Sequence, residues 1–365
     1  MADWYVRATN GLDTNAGTSH ALAFQTLQKA IDSASGGDTI NINDEAAIVL
    51  SAAIGWASGW SGGTSYDAYL RIEGYTATKG DGGIGEVNGN DAAASIFSTT
   101  SIPSFVILKN LLLHNTTSYV IDPTTNWTID GCELHSAGAN ATIDNESRVL
   151  TINSYIHDPD TAGVHGVNIT SGGSIFYSRL KGFDGHAIRM VGIGGFAIGN
   201  IIDDLDDDGI EITNDLNFVL GNTINGNSVS GKYGILNTTT TAESHIVLNN
   251  IITNFGTGGS GGGVKGAAGH NFLIAGFNHF HNNSEGNEIA VTKIIDYGNN
   301  QTTDPTFTNA AGGDYSVGTN AKAKGFPSAF KGGGSTSYVD TGAVQRMEAI
   351  MAAIFIGRFM MMGIG

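Results

Sequence analysis

The sequence predicts an all-β protein, a right-handed parallel β-helix in which one chain coils repeatedly around a single axis. Two observations predict this fold: a polar and apolar pattern recurs every 22 to 28 residues, and apolar and polar residues alternate with period two inside each repeat. Composition agrees, because 53 glycines, 5 prolines and 41% hydrophobic residues in a chain of 365 suit a solenoid with many turns. They fit neither collagen nor a disordered chain.

Each repeat places a small polar residue and an apolar residue at fixed positions. The polar column is Asn110, Cys132, Ser154, Ser178, Asn200, Asn222, Asn250 and Asn278. The apolar column, two residues later, is Leu112, Leu134, Ile156, Leu180, Ile202, Ile224, Ile252 and Phe280. Because neighbouring strands lie about 4.8 Å apart, equal positions stack, so we expect an aliphatic core ladder and an asparagine ladder. Cys132 is interpreted as structural, since no basic group is placed to lower its thiol pKa.

The chain divides into four predicted segments. Residues 1–42 form an N-terminal cap and first strand, 43–291 the coils, 292–345 a closing segment and 346–365 a tail. Within the first segment, an apolar stripe at helical spacing predicts a capping helix in residues 21–35 that ends at Gly36-Gly37. Such a cap would protect the open end of the solenoid from edge-to-edge association.

The tail is the most apolar part of the chain. It carries Ile350, Ile354, Phe355 and Phe359 among several methionines, is short for a membrane span and contains charged residues. An apolar segment of this kind cannot remain exposed to water on a hydrophilic rod. We therefore expect a short helix that trimerises the protein or attaches it to a larger particle, with methionine providing an adaptable surface.

Charge and cysteine content exclude several classes of function. The formal net charge is −17, from 17 basic and 34 acidic residues, so a phosphate backbone would be repelled and nucleic acid is not an expected partner. A single cysteine excludes an internal disulfide and a cysteine-based zinc site. The first residues show no basic region followed by an apolar run, so we expect synthesis in the cytoplasm without a secretory signal.

A second column of residues carries the chemistry. It reads His165, His186, Asp208 and Tyr233, followed three positions later by Asn168, Arg189, Glu211 and Leu236. Stacking predicts His186 beside Asp208 and Arg189 beside Glu211. The intervening loops add Asp158, Asp160, Asp184, Asp203, Asp204, Asp206 and Asp207, which makes this the densest group of titratable residues in the chain.

The acidic group supports a catalytic interpretation and a structural one. Paired carboxyls can cleave a glycosidic bond, since one protonates the leaving oxygen while the other activates water, and crowding raises the pKa of one of them. The candidate catalytic residues are Asp207, Asp208, His186, Arg189 and Glu211. Structurally, aspartates favour turns, Arg189 and Glu211 form a cross-strand ion pair, and His186 and Asp208 a surface hydrogen bond. The structural interpretation is preferred.

Two ligand classes follow from these loops and from aromatic residues earlier in the chain. No cofactor is expected, although Asp204, Asp206 and Asp208 could hold calcium through oxygen ligands. Aromatic side chains could stack on sugar rings or fill the irregular early coils, and both interpretations stay open. The candidates are Trp56, Trp60, Tyr66 and Tyr69.

Several motifs together resemble a known family. They are Trp4-Tyr5-Val6, Thr26-Leu27-Gln28-Lys29-Ala30-Ile31, Gly37-Asp38-Thr39-Ile40, Arg71-Ile72-Glu73-Gly74-Tyr75, Asp304-Pro305-Thr306-Phe307 and Asp340-Thr341-Gly342-Ala343-Val344-Gln345. Over residues 4–345 the chain resembles right-handed parallel β-helix proteins of the pectate-lyase-like superfamily, of the kind also found in phage tailspikes and other virion surface proteins. That superfamily includes lyases, hydrolases, epimerases and inert surface proteins, so the resemblance implies the fold more than an activity.

The resemblance also bears on the acidic turn. Asp207-Asp208-Gly209-Ile210 is similar to the Asp-Asp turn of polygalacturonase-like hydrolases, which place a His and an Arg-x-Lys on neighbouring coils. Here His186 and Arg189 precede the turn and no Arg-x-Lys follows it. A lyase of the superfamily would need calcium and a basic residue, and the nearby bases are Lys181 and Arg189.

From these features we expect a non-enzymatic protein on a virus particle. It would be a capsid decoration, fibre or tailspike-like appendage, a homotrimer joined to other virion proteins through its tail, able to bind host-surface polysaccharide. A polysaccharide depolymerase, a glycoside hydrolase or lyase using the acidic cluster at 203–211, is the alternative. A bacterial surface adhesin is a second alternative.

Overall fold

A computed structural model describes residues 1–56, 65, 67–98, 101–123, 125–135, 138, 140–145, 148–157, 163–239, 245–267, 271–318, 320–321 and 342. The predicted fold is confirmed, because all named strands pair in parallel and stack as a right-handed solenoid with about eight turns. The predicted tail, residues 346–365, lies outside the described residues.

The strands form three sheets along the sides of the solenoid. Sheet 1 contains Asp3–Val6, Thr39–Asn43, Leu70–Tyr75, Val106–Lys109, Thr128–Asp130, Leu150–Ile152, Ser174–Phe176, Phe196–Ile198, Phe218–Leu220, His245–Leu248, Asn271–Gly276 and Thr292–Gly298. Sheet 2 contains Ile48–Val49, Gly85–Asn88, Leu111–His114, Glu133–His135, Tyr155–His157, Arg179–Lys181, Ile201–Asp203, Thr223–Asn225, Ile251–Thr253 and His279–His281. Sheet 3 contains Ala141–Asn145, His165–Ile169, Ile188–Met190, Ile210–Ile212, Tyr233–Asn237, Gly262–Lys265 and Glu288–Ile289.

The aliphatic ladder that the repeat predicts forms the core. Leu134, Ile156, Leu180, Ile202 and Ile224 pair in succession along sheet 2 and are fully buried. Successive side chains of a strand point to opposite faces of the sheet. When the middle residue of a three-residue strand points inward, its two neighbours therefore point outward. Each coil therefore adds the same apolar layer to a continuous spine.

The asparagine ladder follows a turn between sheets 1 and 2. Each turn passes through one residue in the left-handed conformation, such as Gly199 with φ 67° or Gly221 with φ 63°. The next residue in the chain is the ladder residue. The Nδ2 of Asn200 donates to Asn222 Oδ1 at 2.9 Å, and the Nδ2 of Asn222 donates to Asn250 Oδ1 at 3.0 Å. The predicted ladder is confirmed there and in its continuation to Asn278.

The first coil of both predicted columns is wrong by one residue. Leu113, not Leu112, pairs with Leu134 and is buried, while Leu112 pairs with Glu133. Asn110 has a φ of 51° and occupies the turn position rather than the ladder. The run Leu111-Leu112-Leu113 does not alternate with polar residues, so it leaves the register of this strand ambiguous.

A short helix, Leu27–Ser33, lies within the region predicted to be helical. The Thr26 side chain accepts a hydrogen bond from Lys29 N–H and caps its first turn. Leu27, Ala30 and Ile31 are buried in the core, and residues 20–22 form a separate 3-10 turn. That this helix closes the solenoid remains a prediction. Within the described residues, no helix has the length and apolar character needed to cross a membrane.

Cys132 is buried in the core cluster. Its thiol donates to the Asp130 carbonyl, and burial raises its pKa to about 12. A thiol that stays protonated is a poor nucleophile, which agrees with the structural interpretation.

Candidate functional site

Sheet 3 stacks the predicted column of polar residues. Strands Ile188–Met190 and Ile210–Ile212 are parallel neighbours, and Arg189 pairs with Glu211. The residues that flank Arg189 and Glu211 are fully buried, so these two side chains point outward. The predicted neighbour relation between the two coils is therefore confirmed.

Two adjacent carboxyls occupy the turn before Ile210–Ile212. Asp208 is 4% exposed, and its Oδ1 accepts the backbone N–H of Tyr233 at 2.6 Å. Asp207 is more exposed, and its Oδ1 accepts a hydrogen bond from Lys232 Nζ at 2.6 Å. The His186 Nδ1 lies 3.6 Å from Asp207 Oδ1 and 3.6 Å from Asp208 Oδ2.

These environments move the two carboxyl pKa values in opposite directions. Burial, reinforced by the neighbouring charge of Asp207, raises the pKa of Asp208 to about 6. Burial also acts to raise the pKa of Asp207, but the hydrogen bond from Lys232 and the charge of His186 outweigh it and lower that pKa. Near pH 5 the pair therefore holds one protonated carboxyl beside one ionised carboxylate, which is the arrangement that acid-base catalysis requires.

Glu211 links the pair to the cations of the next coil. Its Oε2 lies 2.7 Å from Arg189 Nε and 3.3 Å from His186 Nε2. Burial acts to raise the Glu211 pKa, but hydrogen bonds from His186 and Arg189 hold it at about 2. Burial acts to lower the His186 pKa, whereas Glu211 and the aspartates raise it above its ordinary value. His186 is therefore held towards its protonated form.

A second histidine supports the first. The rings of His165 and His186 stack with centroids 5.0 Å apart and planes 6° apart, and His165 Nδ1 accepts the backbone N–H of His186 at 3.0 Å. Burial and the charge of His186 lower the His165 pKa to about 4. A neutral His165 can keep accepting this hydrogen bond.

The sequence interpretation missed the partners on later coils. Lys232 contacts Asp207, and Lys265 Nζ donates to the Tyr233 hydroxyl at 2.7 Å. That hydroxyl donates in turn to Glu285 Oε2 at 2.9 Å. Lys232 could have been predicted from the repeat. The register that stacks Asp208 on Tyr233 also stacks the preceding residues, Asp207 and Lys232, on each other. Glu285 lies two coils after Tyr233, beyond the four coils that the predicted column covered.

Of the other predicted aspartates, Asp158 and Asp160 lie outside the described residues, and Asp184 is exposed. Asp203 is buried and bonded to Arg179 and to the Tyr315 hydroxyl. Asp204 accepts from Asn227 at 2.9 Å, and Asp206 is exposed.

Among the described residues, two groups of three side chains could hold a metal ion: His186, Asp207 and Asp208, and Glu133, His135 and His157. The predicted calcium ligands Asp204 and Asp206 belong to neither group. The first group does not fit calcium, which takes six to eight oxygen ligands, because one donor is an imidazole and Lys232 already binds Asp207.

The second group belongs to a histidine ladder on sheet 2. The rings of His114, His135 and His157 stack with centroids 4.8 and 4.7 Å apart. The planes of His135 and His157 are 17° apart, so their nitrogen lone pairs run side by side instead of converging on one point. This ladder is therefore not a preformed metal site.

The aromatic candidates are only partly described. Trp56 is 7% exposed, stacks on Phe97 at 5.4 Å and meets the edge of Trp127 at 6.0 Å. Both neighbours belong to the core, which favours the interpretation that Trp56 fills the irregular early coils. Tyr69 packs edge-on against Phe105. Trp60 and Tyr66 lie outside the described residues.

Comparison with known proteins agrees with the fold. The family model described as "Right handed beta helix region" matches residues 95–252. Three solved structures are similar: a glycoside hydrolase (TM-score 0.62, 7% identity, covering 87% of this chain and 99% of that chain), pectate lyase Pel9A (0.52, 13%, 95% and 97%), and XylC in complex with xylose (0.51, 9%, 84% and 87%). No curated protein matches the sequence.

These similarities correct the preferred functional expectation. The chain was expected to be a non-enzymatic virion surface protein, whereas the similar structures include a glycoside hydrolase and a pectate lyase. The expectation is therefore wrong. The resemblance to the pectate-lyase-like superfamily is confirmed at the level of the fold.

Proposed function

We propose that the protein is a polysaccharide-cleaving enzyme, a glycoside hydrolase whose reacting groups are Asp207 and Asp208. The observation that supports the proposal is the difference between the pKa values of these two adjacent carboxyls. Burial keeps Asp208 protonated up to about pH 6, whereas the hydrogen bond from Lys232 keeps Asp207 ionised. Environments that push two carboxyl pKa values apart are what glycosidases use to obtain an acid and a base from the same residue type.

In the proposed reaction, Asp208 donates its proton to the glycosidic oxygen as the bond to the anomeric carbon breaks. Asp207 accepts a proton from the water molecule whose oxygen forms the new bond to that carbon. One water is consumed, one reducing end is formed, and the two carboxyls exchange their proton states until solvent restores them. Lys232 and His186 keep the charge of Asp207 balanced between turnovers.

The setting of the pair supports this assignment. It lies in the turn that leads into sheet 3, beside the outward side chains of Arg189 and Glu211, where an extended polymer can run across successive coils. The likeness in fold to a glycoside hydrolase over 87% of the chain is consistent with a hydrolytic function.

A polysaccharide lyase is the second candidate. Two cationic side chains, Arg189 and Lys265, lie in one outward column of sheet 3, and a third, Lys232, lies directly before the strand Tyr233–Asn237. Cations of this kind could stabilise a uronate carboxylate while a base removes the neighbouring proton, and the fold likeness to a pectate lyase is consistent with this reaction. The product would carry a new carbon–carbon double bond.

The test is an assay of the whole chain on a panel of capsular and pectic polysaccharides. Reducing ends and ultraviolet absorbance of unsaturated sugars are followed together. We expect new reducing ends without the absorbance, lost at least a hundredfold in Asp207→Asn and in Asp208→Asn, since general acid-base groups contribute about 10²–10⁴-fold. Asp206→Asn is the matched control on the same loop and should keep full activity.

Each other outcome rejects the hydrolase. Reducing ends accompanied by the absorbance would assign the lyase instead. Cleavage that persists in both variants would remove the carboxyl pair from the chemistry, and binding without cleavage of any substrate would indicate recognition only.

A further inference from the structure

The outer face of sheet 1 changes character along the axis. One outward column begins with Glu73, Lys109 and Asp130, which pair in succession. On later coils the same column becomes apolar and continues through Phe176, Ile198, Leu220 and Leu248. The neighbouring outward column carries Phe196 and Phe218 over those coils. We call the set Phe176, Phe196, Ile198, Phe218, Leu220 and Leu248 the apolar face.

The apolar face is not required by the fold. The inward positions of the same strands, Ile175, Ala197, Val219 and Val247, already supply the core, and on the early coils the first of these outward columns carries the charged residues Glu73, Lys109 and Asp130. Phe196 and Phe218 stack with centroids 4.6 Å apart and planes 11° apart, which makes a flat aromatic surface. The face side chains are only half-buried. A contiguous apolar patch of this kind indicates a binding surface.

A segment of the same chain reaches the rim of this face. Gly342 N–H donates to the Asn249 carbonyl at 2.8 Å, and the Gly342 carbonyl oxygen lies 3.7 Å from the position of a Cβ on Gly221. Asn249 directly follows Leu248, and Gly221 directly follows Leu220. Gly342 therefore lies at the turn that directly follows two strands of the apolar face, where it also packs against Thr223 and Ile251 of sheet 2, with residues 343–365 still to follow.

The composition and length of that remaining segment match the face. Residues 346–362 place Met347, Ile350, Met351, Ile354, Phe355 and Phe359 at helical spacing. As a helix they would extend about 25 Å at about 1.5 Å per residue. The four strands that carry the apolar face span three inter-strand spacings, or about 14 Å. A helix of this length can cross the whole face.

We propose that residues 346–362 form a helix whose apolar side covers the apolar face of the same molecule. Attachment at Gly342 gives the segment a high effective concentration at the face, in the millimolar range for a short connection. A second copy of the chain has no such advantage at ordinary protein concentrations. Docking would also bury the apolar side of the segment and the apolar face against each other, so that neither stays exposed to water. The proposal is independent of the proposed catalytic function.

The test uses the full chain and its own trypsin sites, Arg346 and Arg358. Cleavage at these two bonds is followed by mass spectrometry, and the molar mass is measured by light scattering. We expect a monomer whose two bonds are protected, and at least tenfold faster cleavage in Phe218→Asp. Thr128→Asp is the matched control, an outward position in an early coil of the same sheet, and should retain the protection.

A second variant separates docking from damage to the solenoid. Ile354→Asp changes only the segment, so the solenoid should keep its circular dichroism spectrum while cleavage accelerates as in Phe218→Asp. The double variant should be cleaved no faster than either single variant. Equal cleavage rates in the wild type and in all variants would overturn the proposal. So would a wild-type oligomer that Phe218→Asp converts into a monomer, because the face would then join two copies.

Discussion

At the scale of single residues, the proposed chemistry depends on unequal surroundings for like groups. Asp207 and Asp208 are chain neighbours, yet one contacts an ammonium group on the surface and the other is enclosed beneath a backbone N–H. Glu211 is ionised by a third arrangement, with an imidazole and a guanidinium at the same oxygen. Three carboxyls within five residues thus have three different proton affinities.

The pH dependence of cleavage follows from the different pKa values of Asp207 and Asp208. Asp208 must be protonated to act as the acid, so kcat/KM should fall about tenfold per pH unit above about pH 6. Asp207 must be ionised, so activity should persist to below pH 3.8. Lys232→Met should move the acidic limb to higher pH, whereas Lys181→Met, on an exposed neighbouring side chain, should leave it in place. A profile that rises through pH 8 would contradict these roles.

Folding stability should also depend on the proton that Asp208 holds. Its folded pKa of about 6 exceeds the ordinary value of 3.8, so the folded state retains a proton that the unfolded state loses between those pH values. Stability therefore falls as pH rises from about 4 to about 6 and stays reduced above that. Asp208→Asn should unfold at a higher temperature than the wild type at pH 8, with no gain at pH 3.5.

This comparison also checks the enzyme assay. A variant that is inactive yet more stable at pH 8 cannot owe its inactivity to unfolding. A lower unfolding temperature for Asp208→Asn at pH 8 would show that Asp208 stabilises the fold as an anion, which is incompatible with the raised pKa.

At the scale of elements, the turn between sheets 1 and 2 fixes the register of each coil. A left-handed residue bends the chain from sheet 1 into sheet 2, and the following asparagine forms hydrogen bonds with the coils above and below. Asn222 is fully buried, donates to Asn250 and to the Ala197 carbonyl, and accepts from Asn200. The stack replaces the backbone hydrogen bonds that a corner of the solenoid cannot make.

Removing one member of the stack should therefore be costly. Asn222→Ala leaves buried polar partners on both sides unpaired, and each such group costs about 1–3 kcal/mol. We expect a loss of roughly 2–4 kcal/mol in the free energy of unfolding, measured by chemical denaturation. Asn227→Ala, on an exposed side chain of the following loop, should change stability by less than about 0.5 kcal/mol. Equal effects of the two would mean that the stack contributes little.

At the scale of the whole molecule, charge opposes the compact rod. The chain carries a formal net charge of −17, and among the described residues most cationic side chains already form local pairs, such as Arg7 with Glu45 and Arg179 with Asp203. Uncompensated acidic groups along a narrow solenoid repel one another. The aliphatic spine must hold the coils together against this repulsion.

Screening should therefore stabilise the protein. Raising ionic strength from about 0.01 M to 0.15 M shortens the Debye length from about 30 Å to about 8 Å, so the unfolding temperature should rise by about 1–2 °C, the shift expected for about 1 kcal/mol in a chain of this length. Scanning calorimetry at pH 7 in sodium chloride would measure it. An unfolding temperature that falls with salt would show that attractive ion pairs outweigh the net repulsion.

The sequence by itself determined the solenoid and the neighbours within its columns. Each strand packs one side chain into the core, and this holds all coils in the same register. Residues that are one repeat apart in the sequence therefore lie above one another on adjacent coils. That is why Arg189 beside Glu211 and the ladder from Asn200 to Asn278 could be predicted. Where the alternation lapses, at Leu111-Leu112-Leu113, the prediction slipped by one residue.

Only the tertiary structure decided what does not repeat. The contact of Tyr233 with Glu285, the enclosure of Trp56 between Phe97 and Trp127, and the path that brings Gly342 to Asn249 all depend on loops of unequal length. The pKa values of Asp207 and Asp208 depend on these surroundings too, since proton affinity follows from burial and nearby charge. A repeat fixes which residues stack; the irregular turns decide what surrounds them.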